Sequence, residues 1–353
     1  MRIVFKVGLT LAVGLIVMAC VYKYQAMPNY DPDKSHHRKQ GFKNNYPHPS
    51  KDWGDVALWI LKEYRPDPRK YNFPMAQNDP AWLKSNRQEP TLTWIGHATF
   101  LLQVNGKNIL TDPHLTERAS PLPVGPPVRK VEPGLTFSEL PHIDAVVISH
   151  NHYDHLDLPT IQRLAAQPGG PPLFLVPLGI QAWMREQGIN TARELDWWEQ
   201  VAALDLNFHF VPAQHFSSRI GVDRNKTLWG GWVIEAPGLR SYFAGDTGYS
   251  KDFKDIGARF DGFDLALIPI GAYDPRSVMA AMHVTPEEAI KIHQDVGSRH
   301  SVGMHWGTFR LTVEPMDEPP QRMASARANA GIAEKDFVVM QHGETRKIAH
   351  LMR

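Results

Sequence analysis

Residues 145–157 read Ala-Val-Val-Ile-Ser-His-Asn-His-Tyr-Asp-His-Leu-Asp, an apolar run followed by a dense set of polar side chains. The run Ala145–Ile148 is typical of a short buried strand, so the next residues leave the edge of a sheet. Imidazole and carboxylate groups are the ligands that zinc prefers in hydrolytic sites. Four such side chains follow within six residues: His150, His152, Asp154 and His155. This density favours a metal site over the alternative, a solvated polar loop.

The spacing within this segment suggests two metal positions. His150 and His152 can point toward one ion, whereas Asp154 and His155 lie on the following turn and can face a second. Three later segments share the same organisation, in which an apolar strand is followed by His or Asp and a tight loop. These segments contribute His215, Asp246 and His305. Each alone could be an ordinary core or surface residue, but together with the first cluster we interpret them as metal ligands.

Short strands begin at Thr91 and recur through the rest of the chain. Thr91–Trp94, Phe100–Val104 and Asn108–Thr111 predict an opening meander with Asn105-Gly106 as its hairpin turn. A helix is predicted over Thr285–Val296, with Thr285 as N-cap. Further strands are predicted at Phe208–Pro212, Leu228–Glu235, Ser241–Ala244, Leu265–Pro269, Val302–His305 and Phe337–Met340, and further helices at Leu156–Ala166 and Gly179–Gln187. Two strand-rich halves, each followed by helices, predict an α/β fold, a four-layer αββα sandwich.

The ordered set Asp112, His150/His152/Asp154/His155, His215, Asp246 and His305 resembles the five motifs of the metallo-β-lactamase superfamily. The resemblance implies two zinc ions per chain. By this carry-over His150, His152 and His215 bind the first ion, Asp154, His155 and His305 bind the second, and Asp246 bridges both. It also implies that Asp112, a carboxylate outside the ligand set, orients a ligand histidine.

A closer resemblance is to the N-acyl-phosphatidylethanolamine-hydrolysing phospholipase D family, from about Gly41 to Lys347. Long stretches carry it, and they are more specific than the histidine motif: residues 140–145, 149–157, 194–199, 243–249, 268–273 and 305–309. The chain departs from the animal enzymes in its N-terminal arm and at Phe216-Ser217-Ser218-Arg219, which leaves selectivity for lipid tails open. Acyl-chain preference and the physiological substrate therefore do not follow from the sequence.

The resemblance implies a zinc-dependent phosphodiesterase in which a zinc-bridging hydroxide attacks phosphorus, releasing phosphatidate and N-acylethanolamine from a phospholipid. Asp154 and Asp246 are then catalytic as well as metal-binding, and Asp246 can accept the hydroxide proton. His283, in a further family motif, lies near the substrate and contacts the phosphate or orients a zinc-bound group; its alternative is a structural role before the helix. His97 is interpreted as structural, and His36, His37 and His48 as solvated residues of a polar arm.

Three other functional classes remain open. The first is another hydrolase on the same scaffold (a lactonase, a β-lactamase or a general phosphodiesterase), because a fold does not fix a substrate. The second is a nuclease, which the formal net charge of +1 does not favour; we expect no nucleic-acid partner. The third is a non-enzymatic envelope protein, a class that normally loses ligands. A homodimer also remains open.

The N-terminus has the layout of a secretory signal. Arg2 and Lys6 precede an apolar run that ends in Val17-Met18-Ala19-Cys20. This order resembles the lipobox of bacterial lipoproteins, which implies cleavage after residue 19, acylation of Cys20 and a membrane lipid anchor in the cell envelope. Val21 favours the outer membrane by the same resemblance. An uncleaved anchor is the alternative. Residues 20–90 are then a linker and wrapping arm, with a helix predicted over Asp52–Glu63, and residues 91–353 form the catalytic domain.

Overall fold

The computed structural model describes residues 27–48, 69, 71–122 and 124–353. The predicted signal peptide, Cys20 and the helix predicted over Asp52–Glu63 lie outside these ranges. Most strands belong to two seven-stranded sheets. A separate hairpin near the start pairs β1 (His37–Arg38) with β2 (Gly41–Phe42). Residues 27–48, within the predicted linker and arm, therefore have ordered structure of their own.

The first sheet contains the predicted meander at one side and parallel strands at the other. Its strands are β3 (Thr91–Gly96), β4 (Thr99–Val104), β5 (Lys107–Thr111), β6 (Ala145–Val147), β7 (Leu173–Pro177), β8 (Ala192–Leu195) and β16 (Thr345–Lys347), in the order β16-β3-β4-β5-β6-β7-β8. Asn105 and Gly106 have φ angles of 52° and 71°, as the predicted hairpin turn requires. The meander prediction is confirmed.

The second sheet is also mixed. Its strands are β9 (Gln200–Ala203), β10 (Leu206–Val211), β11 (Gly231–Ala236), β12 (Leu239–Phe243), β13 (Phe263–Pro269), β14 (Ser298–Met304) and β15 (Phe337–Val339), in the order β15-β14-β13-β12-β11-β10-β9. The strands from β12 to β15 run parallel to one another, whereas β11 and β12 are antiparallel. Parallel strands bring their carboxyl ends to the same edge, and this edge is where the polar loops emerge.

Helices cover the outer faces of both sheets. They are α1 (Pro80–Ser85), α2 (Leu158–Ala165), α3 (Ile180–Glu186), α4 (Asp252–Phe260), α5 (Arg276–Met279), α6 (Pro286–Asp295) and α7 (Glu318–Asn329), with a 3-10 turn at Ala349–Leu351. The helix at Thr285 begins as predicted, because Thr285 and Glu288 cap each other's backbone N–H groups. The predicted helix over Leu156–Ala166 begins later, at Leu158.

The packing gives the four-layer sandwich. Phe100 and Leu102 of the first sheet share an apolar cluster with Phe208 and Trp232 of the second. On the opposite face of the first sheet, Leu101 and Phe174 cluster with side chains of α2 and α3. Side chains of α4, α6 and α7 extend the cluster of the second sheet: Phe253, Ile290 and Met323. The predicted αββα architecture is confirmed.

One expectation about the arm was wrong. His36 and His37 are buried rather than solvated. The reason is a carboxylate of the second half of the chain, Asp196, which accepts a hydrogen bond from each imidazole. His36 also stacks on the ring of Trp197, with ring centroids 4.5 Å apart.

Candidate metal centre

The predicted ligands converge because four strands end at the same edge of the sandwich. The strands β6, β10, β12 and β14 end at Val147, Val211, Phe243 and Met304. Each is followed within a few residues by a predicted ligand or by the cluster at His150. The chain therefore brings together all seven predicted metal-binding side chains: His150, His152, Asp154, His155, His215, Asp246 and His305.

The first group consists of His150, His152 and His215, whose ligand atoms lie within 4.8 Å of one another. Nδ1 of His152 is 2.7 Å from Nε2 of His150 and 3.3 Å from Nε2 of His215. All three imidazoles therefore present a nitrogen to one point, as the sequence-based assignment of the first ion requires.

The second group consists of Asp154, His155 and His305, and His97 joins it. Nε2 of His155 and Nε2 of His305 are 3.3 Å apart and lie 3.2 Å and 3.4 Å from Oδ2 of Asp154. Asp246 lies between the two groups. Its carboxylate oxygens are 3.1 Å from Nε2 of both His155 and His305, and Oδ2 is 4.0 Å from Nε2 of His150.

Residues behind the ligands fix the orientation of their rings. Oδ2 of Asp112 accepts a hydrogen bond from Nδ1 of His155 at 2.6 Å, so that Nε2 faces the centre. Asp112 also accepts from the backbone and the hydroxyl of Ser149, and that hydroxyl accepts from Nδ1 of His150 at 2.8 Å. One buried carboxylate thus orients a ligand in each group. The prediction for Asp112 was that it orients a ligand histidine, and the structure places it against His155; Ser149 had no assigned role.

His215 is oriented from a different side. Its Nδ1 donates to the carbonyl oxygen of Met282 at 2.9 Å, which leaves Nε2 as the free nitrogen. The backbone N–H and C=O of His215 both bond to the side-chain amide of Asn44, in the arm. Sequence reasoning missed this contact, because no local pattern links residues 171 positions apart.

The electrostatics divide the histidines into two classes. Burial, together with the positive charge of neighbouring imidazoles, lowers the pKa of His150 well below its usual range, and burial lowers that of His152 to about 4. These rings are neutral and ready to bind a cation. Burial also opposes the charged form of His305, but Asp246 and Asp154 outweigh it and raise its pKa to about 9.

The donor set fits divalent metal ions. Two nitrogens bound to one tetrahedral zinc ion, each at about 2.0–2.1 Å, lie roughly 3.3 Å apart, and two of the nitrogen pairs here have that separation. Within the described residues, Nδ1 of His283 is buried without a hydrogen-bond partner. Buried polar atoms are rarely left unpaired, so this atom also points to an ion or ligand.

His283 and His97 both adjoin this centre. Nδ1 of His283 is 3.9 Å from Oδ2 of Asp246, so His283 faces the centre, as its predicted place near the substrate requires. His97 was interpreted as structural, yet Nε2 of His97 lies 2.8 Å from Oδ2 of Asp154. Its position in the turn between two meander strands gave no periodic pattern by which to recognise this contact.

The loop that carries Asp246 depends on a glycine. Gly245 has a φ of +62°, and a Cβ added there would lie 2.6 Å from Cβ of Ser149 and 2.9 Å from the carbonyl oxygen of Gly230. Because only glycine fits this approach, the backbone before Asp246 passes directly against the ligand loop.

Comparisons with known proteins agree with this geometry. The family model described as a β-lactamase superfamily domain matches residues 107–306. A metallo hydrolase from the archaeon Ignicoccus hospitalis superimposes with a TM-score of 0.54 at 26% identity, covering 73% of this chain and 98% of that one.

Two relatives extend the comparison. The chain is 43% identical over 258 residues to an uncharacterised protein of Mycobacterium tuberculosis, covering 72% of this chain and 68% of that protein. It is 39% identical over 265 residues to the N-acyl-phosphatidylethanolamine-hydrolysing phospholipase D 1 of Caenorhabditis elegans, covering 71% of this chain and 74% of that one. With its His and Asp clusters able to bind metal, the chain belongs to the metallo-β-lactamase superfamily of metal-dependent hydrolases, in the family that includes the N-acyl-phosphatidylethanolamine-hydrolysing phospholipases D.

Proposed function

We propose that this protein is a phosphodiesterase of phospholipase D type, which hydrolyses N-acyl-phosphatidylethanolamine or a similar phospholipid to phosphatidate and N-acylethanolamine. The observation that carries the proposal is the double cluster of His and Asp side chains around Asp246, in a chain 39% identical to an enzyme of that name. We propose two zinc ions per chain, one in each cluster, with Asp246 between them.

Two such ions would supply Lewis acidity, which neutralises phosphate charge and lowers the pKa of water. The protein's part is to hold the reacting groups in place. Asp112 and Ser149 keep Nε2 of His155 and of His150 turned inward. Asp246 is the carboxylate within reach of both clusters, so it is the group placed to take a proton from the attacking water. His283, with Nδ1 unpaired and facing Asp246, is placed to contact the phosphate.

An apolar cavity beside the ligand loop supports a lipid substrate. The cavity measures about 780 Å³ and adjoins Asn151 and Tyr153, which alternate with the ligands along the chain. Trp183 of α3 and two aliphatic side chains, Leu122 and Ile220, also line the cavity, together with charged side chains such as Arg219. A volume of this size is typical of small-molecule sites and accommodates acyl chains next to a charged head group.

Aliphatic side chains at the rim of the cavity suit a membrane surface. Leu122 is 61% exposed and Ile220 is 69% exposed, and each has an exposed valine two residues further on, Val124 and Val222. Isolated exposed aliphatics are common, but two pairs on neighbouring loops form a patch. We propose that these loops touch the bilayer and that acyl chains enter the cavity between them.

We also propose that Cys20 carries the lipid anchor and that the protein lies in the cell envelope, in the outer membrane. No helix among the described residues is long and apolar enough to span a bilayer. A lipidated N-terminus and the aliphatic loops would together provide the two attachments that stable anchoring usually requires. Cys20→Ala should abolish acylation, and globomycin should cause precursor to accumulate. A mature chain that starts at Met1 without an acyl group would rule out this anchor.

The substrate is tested with vesicles that contain N-acyl-phosphatidylethanolamine in phosphatidylcholine. Mass spectrometry after incubation with metal-loaded protein should show phosphatidate and N-acylethanolamine rising together, and Asp246→Ala should abolish both. A lactone, a β-lactam and a small aryl phosphodiester are assayed in parallel. Turnover of the aryl diester without the lipid would indicate a general phosphodiesterase, and preference for the lactone or β-lactam would contradict phosphodiester chemistry.

A further inference from the structure

Residues 27–48, here called the arm segment, run along the second half of the chain behind the metal centre. Several hydrogen bonds attach the segment. His36 and His37 bind Asp196 at one end, and Asn45 binds Asp252 at the other. Between them, Asn44 contacts His215, one of the proposed metal ligands. The arm segment is therefore more than a linker, since its middle part reaches the site.

The first attachment involves two histidines and one carboxylate, a combination that also occurs at metal sites. Oδ1 of Asp196 accepts from Nε2 of His36 at 2.7 Å, and Oδ2 accepts from Nε2 of His37 at 2.8 Å and from Nζ of Lys34 at 2.6 Å. Nδ1 of His37 accepts from the backbone N–H of Asp31, so its Nε2 carries the proton. A protonated nitrogen and an ammonium leave no place for a cation. This cluster is a hydrogen-bonded attachment of the arm segment to Asp196.

The contact of Asn44 with His215 satisfies both backbone groups of the ligand. Nδ2 of Asn44 donates to the carbonyl oxygen of His215 at 3.0 Å, and Oδ1 accepts from its N–H at 3.2 Å. Oδ1 also accepts from Nε1 of Trp229 at 2.9 Å, which fixes the amide itself. With Nδ1 of the ring held by Met282, His215 is fixed at its backbone and at its side chain.

A second contact joins the arm segment to a loop of the cavity. The N–H of Phe42 donates to the carbonyl oxygen of Asn225 at 2.8 Å, and the N–H of Asn225 donates to the carbonyl oxygen of Ser217. Gly41 fits only because it lacks a side chain, since a Cβ there would lie 2.2 Å from the Asn225 oxygen. The loop between Ser217 and Asn225 is thereby closed against the arm segment.

We infer that the arm segment is a positioning element for the half of the metal centre formed by His150, His152 and His215, and that Asn44 is its positioning residue. Without the Asn44 amide, the backbone N–H and C=O of His215 lose their hydrogen-bond partners. The backbone that carries its imidazole is then no longer held in place. Asn44 hydrogen-bonds to His215 and Trp229 and to none of Asp154, His155 and His305, so metal binding by that second half should not change. The inference depends on metal binding by these clusters and is independent of which bond the enzyme cleaves.

The test compares Asn44→Ala with Asn45→Ala in the full-length protein. Asn45 is a matched control, because its amide also attaches the arm segment but binds Asp252. Zinc is removed by titration with a chelator, and bound zinc is counted by atomic emission. Asn44→Ala should release one of its two zinc ions at a roughly 10–100-fold lower chelator concentration than wild type. This is the usual effect of losing a group that orients a ligand. Asn45→Ala should behave as wild type.

Cobalt substitution gives an independent readout. The visible spectrum of the cobalt-loaded Asn44→Ala protein should change for one ion only. Asn44→Asp keeps the oxygen that accepts from His215 and Trp229 but loses the NH2 donor. Its zinc affinity and cobalt spectrum should therefore lie between those of wild type and Asn44→Ala. This variant replaces Asn44→Ala if the alanine variant does not fold. Equal zinc affinity in Asn44→Ala, Asn45→Ala and wild type would overturn the inference. So would an equal weakening of both ions in Asn44→Ala.

Discussion

Nε2 of His97 donates a hydrogen bond to Oδ2 of Asp154 at 2.8 Å, and the two residues are 57 positions apart in the chain. Burial and the neighbouring positive charge of His305 lower the pKa of His97 to about 3, so its imidazole is neutral. The φ of His97 is +54°, in the left-handed region, and its carbonyl oxygen accepts from the N–H of His305. The first turn of the meander thus contacts two of the proposed ligands in the second group, Asp154 and His305.

The first prediction follows from this contact. His97→Ala should weaken metal binding at the second group by roughly 10–100-fold, because Asp154 loses the donor that orients it. The measurement is zinc content after dialysis against graded chelator. His142→Ala is the control, since His142 bonds to the carbonyl oxygen of Pro168, away from the centre. Unchanged zinc affinity in His97→Ala would show that His97 only shapes the turn.

The second prediction concerns Asp246. Asp246→Ala should lose more metal and activity than any other single ligand change, because its carboxylate lies within 4.0 Å of nitrogens from both groups. The far-ultraviolet circular dichroism spectrum should remain that of wild type. His283→Ala should keep both ions and lose turnover, since His283 is proposed to contact the substrate. Full zinc occupancy in Asp246→Ala would contradict a bridging position.

The third prediction concerns the glycine before Asp246. Gly245 and Gly188 both have positive φ angles, of +62° and +80°, but only Gly245 has atoms within reach of an added Cβ. Alanine in the left-handed region costs roughly 1–2 kcal/mol at either position. Gly245→Ala should lose about 1–3 kcal/mol more, because Ser149 and Gly230 must move. Urea unfolding measures the free energy of unfolding of Gly245→Ala and Gly188→Ala. An equal loss of stability in the two variants would show that the loop moves to accommodate the added Cβ at little cost.

The sequence predicted the strands that precede the proposed ligands and the His and Asp residues that follow them. Strands with a polar cluster after them, such as Ala145–Val147, were recognised because the apolar run and the following His residues mark both boundaries. The strand Leu173–Pro177 was missed because Pro and Gly surround it and hide the short apolar run. The helix Glu318–Asn329 was missed because few of its residues are buried and two prolines stand at its start.

The contacts that were missed at the site share one cause. Both contacts are hydrogen bonds between residues far apart in the chain. One joins Asn44 to His215, and the other joins His97 to Asp154. Periodicity and spacing report only on neighbours along the sequence, so a partner brought by the fold leaves no local pattern. The resemblance to a known family supplied the division of the ligands between two ions and the role of Asp112, but it gave no reason to place the arm segment beside His215.

The fourth prediction is a pH dependence of metal binding. The pKa of His305 in the metal-free fold, about 9, lies above its usual value of 6.5. The protonated imidazole therefore stabilises the metal-free protein below about 6.5, and this contribution is lost as the pH rises through about 9. Metal binding needs the neutral form, so affinity should rise with pH over the same window and release protons.

Calorimetry of zinc binding in two buffers with different ionisation enthalpies measures this proton release. Release near neutral pH should include the proton of His305, and this contribution should be lost as the pH rises above about 9. His342 is a buried histidine whose pKa is lowered to about 3 by burial, so His342→Ala should leave the release unchanged. Zinc binding without proton release near neutral pH would mean that His305 is neutral in the metal-free protein.

The proposed reaction breaks a phosphorus–oxygen bond of a phospholipid. Hydrolysis of N-acyl-phosphatidylethanolamine vesicles in oxygen-18 water tests it, with each product examined by mass spectrometry. Attack of water on phosphorus places the label in phosphatidate, and the N-acylethanolamine leaves with its own oxygen. We expect label in phosphatidate alone. Label in N-acylethanolamine or in a free fatty acid would mean attack on carbon, and the assignment as a phosphodiesterase would be wrong.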